Sequence, residues 1–193
     1  MVSDTIEPLV GGNVMYKKCV TEESAMRQQH IIQVFIDMMQ TKTINEISVI
    51  KLCERANIPR KAFYRYFETK DDLIYATFDL FHKLYQSYTR ERRKQDATIE
   101  YHLTLFFTFW YEHSPFIQAM KHSNLLYLFL TNFVQEVWNE RKGDRITAYF
   151  AMTGLYGVLL EWENDGFSQT PTEIAHRMME IFTNPLSNRL FME

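Results

Sequence analysis

The sequence predicts an all-α fold, and three observations carry that expectation. Apolar residues recur at three- and four-residue spacing along most of the chain, which is the period of one helix face. Six glycines and five prolines are spread over 193 residues, of which 46% are hydrophobic, so the chain is ordered and poor in turns. No segment reads as a convincing strand, an internal repeat or a low-complexity run. The length suits a small N-terminal module and a larger helical body sharing one long helix.

Taken in order, residues 1–20 hold Pro8, Gly11 and Gly12 without periodicity and read as a mobile arm, in which Met15 is a candidate native start. Thr21 then precedes Glu22 and Glu23, an N-cap followed by acids that complement a helix dipole. Ile31, Val34, Phe35, Met38 and Met39 continue that helix toward Thr41–Thr43. Ser48 caps a short helix with Val49, Leu52 and Cys53 inward, and Ala56-Asn57-Ile58 breaks it, asparagine tolerating the left-handed backbone of a tight turn. Pro59 opens the next short helix, where its missing N–H costs nothing, and that helix runs through Ala62, Phe63, Tyr64 and Tyr66. Thr69, with Asp71 and Asp72 in the first turn, starts a fourth helix whose stripe is Leu73, Thr77, Leu80, Phe81, Leu84 and Tyr88. The basic cluster Arg90–Lys94 suits its C-terminal end.

Beyond it, Ile99, Leu103, Phe106, Phe107 and Trp110 mark a helix that Pro115 stops. Leu125–Trp138 forms another, with Asn124 as its cap, and Asp144–Asn164 a long one that stops at Gly166. Thr170-Pro171-Thr172-Glu173 joins a capping box to a proline at the first helical position, so the last helix begins there and ends at Asn184-Pro185. The expected division is an arm over 1–20, a helix-turn-helix domain over 21–70 and a helical body over 71–193.

Composition narrows the function classes. No stretch approaches the roughly 18 apolar residues of a membrane span, and no charged start leads into an apolar leader, so the expectation is a cytoplasmic protein without a membrane partner. Cys19 and Cys53 are too few and too unlike a C-x-x-C pair for a disulfide framework or a thiolate metal site. Net charge is −3, yet its distribution is uneven. From Ser48 to Lys70, six basic residues (Lys51, Arg55, Arg60, Lys61, Arg65, Lys70) face two acids (Glu54, Glu68), a segment of +4 that leaves −7 on the remainder. A basic module on an acidic body is the electrostatic footprint of a polyanion-binding surface.

A helix that reads duplex DNA needs a rigid partner helix, an exposed first turn with side chains that reach base edges, and phosphate donors on either side. Residues 48–70 supply all three. Arg60 and Lys61 fall on the first turn of the second short helix, where either cation can pair with guanine O6 and N7 for about 1–3 kcal/mol of discrimination. Phe63 and Phe67, four apart, claim the inward face, which favours an outward Tyr64 and Tyr66 over a place for them in the core.

The string from Ala56 to Leu73 (Ala-Asn-Ile-Pro-Arg-Lys-Ala-Phe-Tyr-Arg-Tyr-Phe-Glu-Thr-Lys-Asp-Asp-Leu) resembles the signature of the tetracycline-repressor (TetR) family. In that signature a Phe-Tyr-x-x-Phe run is followed by a lysine, two acids and a leucine. The likeness runs from the first helix to the start of the fourth. Gly154, Gly157, Trp162 and Gly166, with Pro171 opening the last helix, also resemble one branch of that family. The resemblance implies a recognition helix over Pro59–Tyr66, with Arg60, Lys61 and Ala62 facing bases and Tyr64 and Tyr66 reaching the sugar-phosphate edge or a base. Ser48 would present its hydroxyl and helix N-terminus to one phosphate, Lys70 would hold another, and Arg65 is a further contact. Asn57 stands for the usual turn glycine, Ala62 for a common threonine, and Ile50 for a frequent polar base reader, so the operator sequence does not follow.

Because one recognition helix covers few base pairs, a homodimer across a two-fold axis is expected. The family likeness places its interface on the last two helices, through Gly154, Gly157, Val158, Trp162, Met178 and Phe182. Phe106, Phe107, Trp110, Tyr127 and Phe133 are the expected lining of an apolar effector pocket, with core packing the favoured reading at any single one of these positions. His113, His122 and Glu112 lack the fixed spacing of a metal site, and no metal or cofactor is expected. Gly-rich phosphate loops, G-x-S-x-G and HExxH motifs are missing, so the expectation is a regulator, more often a repressor on family grounds, and no enzyme. The competing class is a helical ligand carrier or enzyme whose basic segment is incidental.

Overall fold

Thr21 starts the first helix by accepting the Ser24 N–H on its hydroxyl at 3.2 Å, and α1 (Glu22–Met39) follows. The structure is a computed structural model that describes residues 16, 21–141 and 144–183, without the side chains of 135–141, 182 and 183. Apart from Tyr16, the expected arm over 1–20 lies outside the described residues. A 3₁₀ turn (Ile44–Glu46) leads to α2 (Val49–Arg55) and α3 (Arg60–Tyr66), and the long α4 (Lys70–Glu91) then runs into the rest of the molecule. The described residues hold helices and turns and no strand. Phe35, Met39, Ile47, Leu52, Phe63, Phe67 and Leu73 are buried together where the first four helices meet. Each such side chain is worth about 1.5–3 kcal/mol when removed from water, which lets seven-residue helices persist that would fray alone.

The remainder comprises α5 (Ile99–Glu112), α6 (Ser114–His122), α7 (Leu126–Arg141), α8 (Arg145–Asn164) and α9 (Pro171–Thr183). Helix α6 is an element that the sequence reading passes over. Pro115 does not merely stop a helix: α5 ends at Glu112, and Pro115 lies in the first turn of α6, where a missing N–H is harmless. Asn124 likewise does not cap α7. With φ of 55° it closes α6, its N–H bonding to Lys121 O while Leu125 N–H bonds to Met120 O, the paired bonds of a Schellman ending. Asn57 after α2 and Gly166 after α8 close their helices by the same pair of bonds.

At the centre of the body Trp110 is fully buried among aromatic rings, with Phe109 at 4.9 Å, Phe129 at 5.5 Å and Tyr156 at 5.8 Å between ring centroids. Phe81 stacks on Phe116 at 3.7 Å. The expected pocket lining is therefore corrected: Phe106, Phe107, Trp110 and Phe133 are close-packed core, and Tyr127 is 79% exposed. Helices reward apolar positions whether they face a neighbour helix or a cavity, so composition alone does not separate the two. Helix α9 lies along α5 with Ile174, Ala175 and Met178 buried. Trp162 is buried too, its Nε1 donating to Gln169 O at 3.0 Å and its ring edge-on to Phe167 at 4.8 Å. Trp162 and Met178 thus belong to this chain's own core rather than to an open face, Val158 packs against that core half-buried, and the Phe182 side chain lies outside the described residues.

Candidate nucleic-acid interface

The basic segment is held from three sides. His30 Nε2 on α1 lies 3.0 Å from Ala56 O at the end of α2, which fixes the turn that launches α3. At the other end Asp72 is buried, and its Oδ2 accepts the N–H groups of Glu68 at 2.7 Å and Thr69 at 3.1 Å, locking α3 to α4. Beneath α3, Phe63 and Phe67 meet at 5.3 Å between ring centroids. The helix is thereby a rigid platform although it has fewer than two full turns.

Pro59 precedes the helix as its N-cap, with φ −70° and ψ 146°, so α3 begins at Arg60, one residue later than expected. Arg60, Lys61, Tyr64 and Arg65 are exposed, and Ala62 is half-buried. The Arg60 guanidinium sits over the Tyr64 ring at 5.9 Å and reaches its hydroxyl at 3.5 Å, a pairing that pre-orders both side chains at the surface. Ile50 on α2 is half exposed, an apolar group beside the cations.

Three expected contacts differ in detail. Tyr66 is 6% exposed and packs against Phe67 at 6.3 Å, so it is corrected from an outward residue to a core one. It lies three residues after Phe63, and positions three and four apart share a helix face. The Lys70 ammonium donates to Ile44 O at 2.9 Å, tied to the 3₁₀ turn with its remaining protons spare. The exposed Ser48 uses its hydroxyl as the N-cap of α2, accepting the Lys51 N–H at 3.2 Å.

Elsewhere the chemistry is sparse. His113 Nδ1 lies 2.7 Å from Phe109 O, and among the described residues no group of three or more His, Cys, Asp or Glu side chains is placed to hold a metal. No helix among them is long and apolar enough to cross a membrane.

Residues 97–184 match the family model described as the C-terminal region of a TetR-type transcriptional regulator. A TetR/AcrR-family transcriptional regulator from Aquifex aeolicus VF5 shares the fold at TM-score 0.57 and 17% identity, over 81% of this chain and 98% of that one. The family match covers under half of the chain, which over that C-terminal part is similar to TetR-type regulators. The dihydroxyacetone kinase operon activator DhaS superposes at TM-score 0.56 with 20% identity, covering 81% of this chain and 94% of that one. In sequence, the dhaKLM operon transcriptional activator DhaS of Lactococcus lactis is 33% identical over 58 residues, 30% of this chain and 31% of that relative. The match therefore spans under a third of the relative's length. All three are named as regulators or activators.

Proposed function

We propose that the chain is a homodimeric regulator that grips operator duplex with the first turn of α3. The observation that carries this reading is the division of one short helix. Arg60, Lys61 and Tyr64 stand exposed, while Phe63, Tyr66 and Phe67 fix it from below. Arg60 and Lys61 address base edges beside the small Ala62, and Ser48, Arg65 and Lys70 address phosphates. Residues 21–70 act as the reading head, with the body over 71–193 setting the spacing between two heads. The test is a gel shift on DNA flanking the chain's own gene at two salt concentrations. Sequence-specific binding that weakens steeply with salt supports the reading, and its absence at low salt overturns it. Arg60→Ala and Lys61→Ala should each weaken operator binding by roughly 5- to 150-fold, as befits about 1–3 kcal/mol, with the melting temperature unchanged.

We further propose that a small molecule held in the body modulates DNA affinity. Supporting this, among the described residues Trp110 Nε1 and Tyr156 Oη are fully buried in the packed core without a hydrogen-bond partner, a condition costing about 1–3 kcal/mol each that a ligand's polar atoms would relieve if the core opened to admit them. Repression is the direction we propose, since a dimer seated over a promoter blocks polymerase without a further partner surface. A reporter that falls when the chain is supplied supports it, and one that rises, as the name of the lactococcal relative suggests for that protein, overturns it.

A further inference from the structure

We propose that the groove between α1 and α3 is a second ligand site, which takes an apolar monocarboxylate and opposes DNA binding when filled. The groove has a volume of about 320 Å³ and an apolar wall of Ile31, Ile58, Ala62 and Tyr66, with the Met26 side chain, 58% exposed, as its lip. Its charges select the head group. Glu23, the one carboxylate lining the groove among the described residues, is paired with Arg27 along α1, so it is not left free for a cationic ligand. Arg65 opens onto the groove exposed and has no ion-pair partner among the described residues. An unpaired guanidinium beside an apolar trough is the complement of a carboxylate bearing a hydrocarbon or aryl tail, because its fork grips both oxygens while the tail leaves water.

The antagonism rests on the DNA reading proposed above; the binding does not. Ala62 and Arg65 belong to the same helix as Arg60, Lys61 and Tyr64. A molecule wedged against α1 displaces that platform and neutralises a cation offered to phosphate. Ligand and duplex thus favour different placements of α3, which is a coupling of the two equilibria.

The probe is octanoate, titrated into the full chain without DNA and followed through the methyl resonances of Met26, Ile31 and Ile58, with octan-1-ol and octylammonium as matched tails of other charge. Support is a saturable shift of those methyls, with octanoate at least tenfold tighter than either control. Arg65→Gln should erase that margin, and Ala62→Met, which fills the trough, should abolish the shifts. A fivefold or greater loss of operator affinity in saturating octanoate supports the antagonism, and unchanged affinity overturns it. No methyl shift at millimolar octanoate, equal binding of the alcohol, or shifts confined to body methyls such as Ile117 would overturn the site. A chain that binds octanoate in the groove yet no DNA would sink the regulator reading and leave the site standing.

Discussion

Tyr64 and Tyr66 stand two residues apart on α3, about 200° around the helix, so one side chain meets solvent when the other meets the core. Tyr64 is 42% exposed and Tyr66 6%. Tyr64→Ala should leave thermal stability intact and weaken operator binding. Tyr66→Ala removes a buried ring, a class of change that costs roughly 3–5 kcal/mol, and should lower the melting temperature by about 10 °C in a calorimetric scan. Equal stability losses in the two variants would contradict this assignment. The Phe63–Phe67 pair was legible in the sequence because a four-residue spacing is explicit there. The placement of Tyr66 was not, since a tyrosine suits either environment and only the i to i+3 relation to Phe63 decides it. Tyr156 offers a test of the opposite sign. Burial pushes its phenol well above its ordinary pKa, so the ring stays neutral, and its hydroxyl lacks a partner among the described residues. Tyr156→Phe keeps the shape and removes the orphan group, so the melting temperature should hold or rise, whereas a marked fall would show that the hydroxyl is already satisfied.

Helix ends are where this fold is written most plainly. Thr170 and Glu173 close a reciprocal cap, Glu173 Oε2 accepting the Thr170 N–H at 2.7 Å and Thr170 Oγ1 accepting the Glu173 N–H at 3.3 Å. Thr43 and Glu46 repeat that carboxylate contact at the 3₁₀ turn, at 2.7 Å. The Thr170 backbone N–H and then its hydroxyl hold the Glu173 carboxyl below its ordinary value of 4.5, and Thr43 does the same for Glu46. A carboxyl whose pKa is depressed by folding stabilises the native state above its unfolded value, and that contribution fades as pH falls through the folded one. Melting temperature should therefore drop as pH is lowered from 5 toward 3, on the order of the ordinary carboxylate range. In Glu173→Gln the drop should be shallower and start from a lower plateau at neutral pH; a curve parallel to the parent's would argue against the cap. The Thr170 cap was legible because its four residues are contiguous. Helix α6 escaped because Pro115 is compatible with both an ending and a beginning, and only the packing of Phe116, Ile117 and Met120 decides for a helix there. Asn124 escaped for a related reason, since asparagine favours a helix N-cap and a left-handed C-terminal turn alike.

At the scale of the whole molecule, the least explained surface is one face of α8. Ile146 is 80% exposed and Phe150 65%, and continuing along the helix the same face carries Thr153, Gly154 and Gly157, all exposed. A glycine inside a helix costs about 0.5–1 kcal/mol relative to alanine. Neither Gly154 nor Gly157 recovers that cost within the chain, because a Cβ at either position would meet nothing within 4 Å. An apolar stripe that narrows to two glycines is shaped for close approach of another helix, and in the proposed homodimer two-fold symmetry would supply a second α8 with the same stripe. The sequence pointed to these glycines but grouped them with Trp162 and Met178, which fill this chain's own core. A linear pattern shows which residues pack; it does not show whose chain they pack against. Phe150→Arg and Gly154→Leu should each leave helix content intact and convert a dimer to a monomer in light scattering at micromolar concentration, while Gln118→Arg, exposed on α6, changes nothing. Operator affinity should fall more than tenfold in the two α8 variants because each head then binds alone, with half-sites about 34–36 Å apart no longer engaged together. A parent chain that is monomeric, or an α8 variant that remains dimeric with full affinity, would move the two-fold axis off this face.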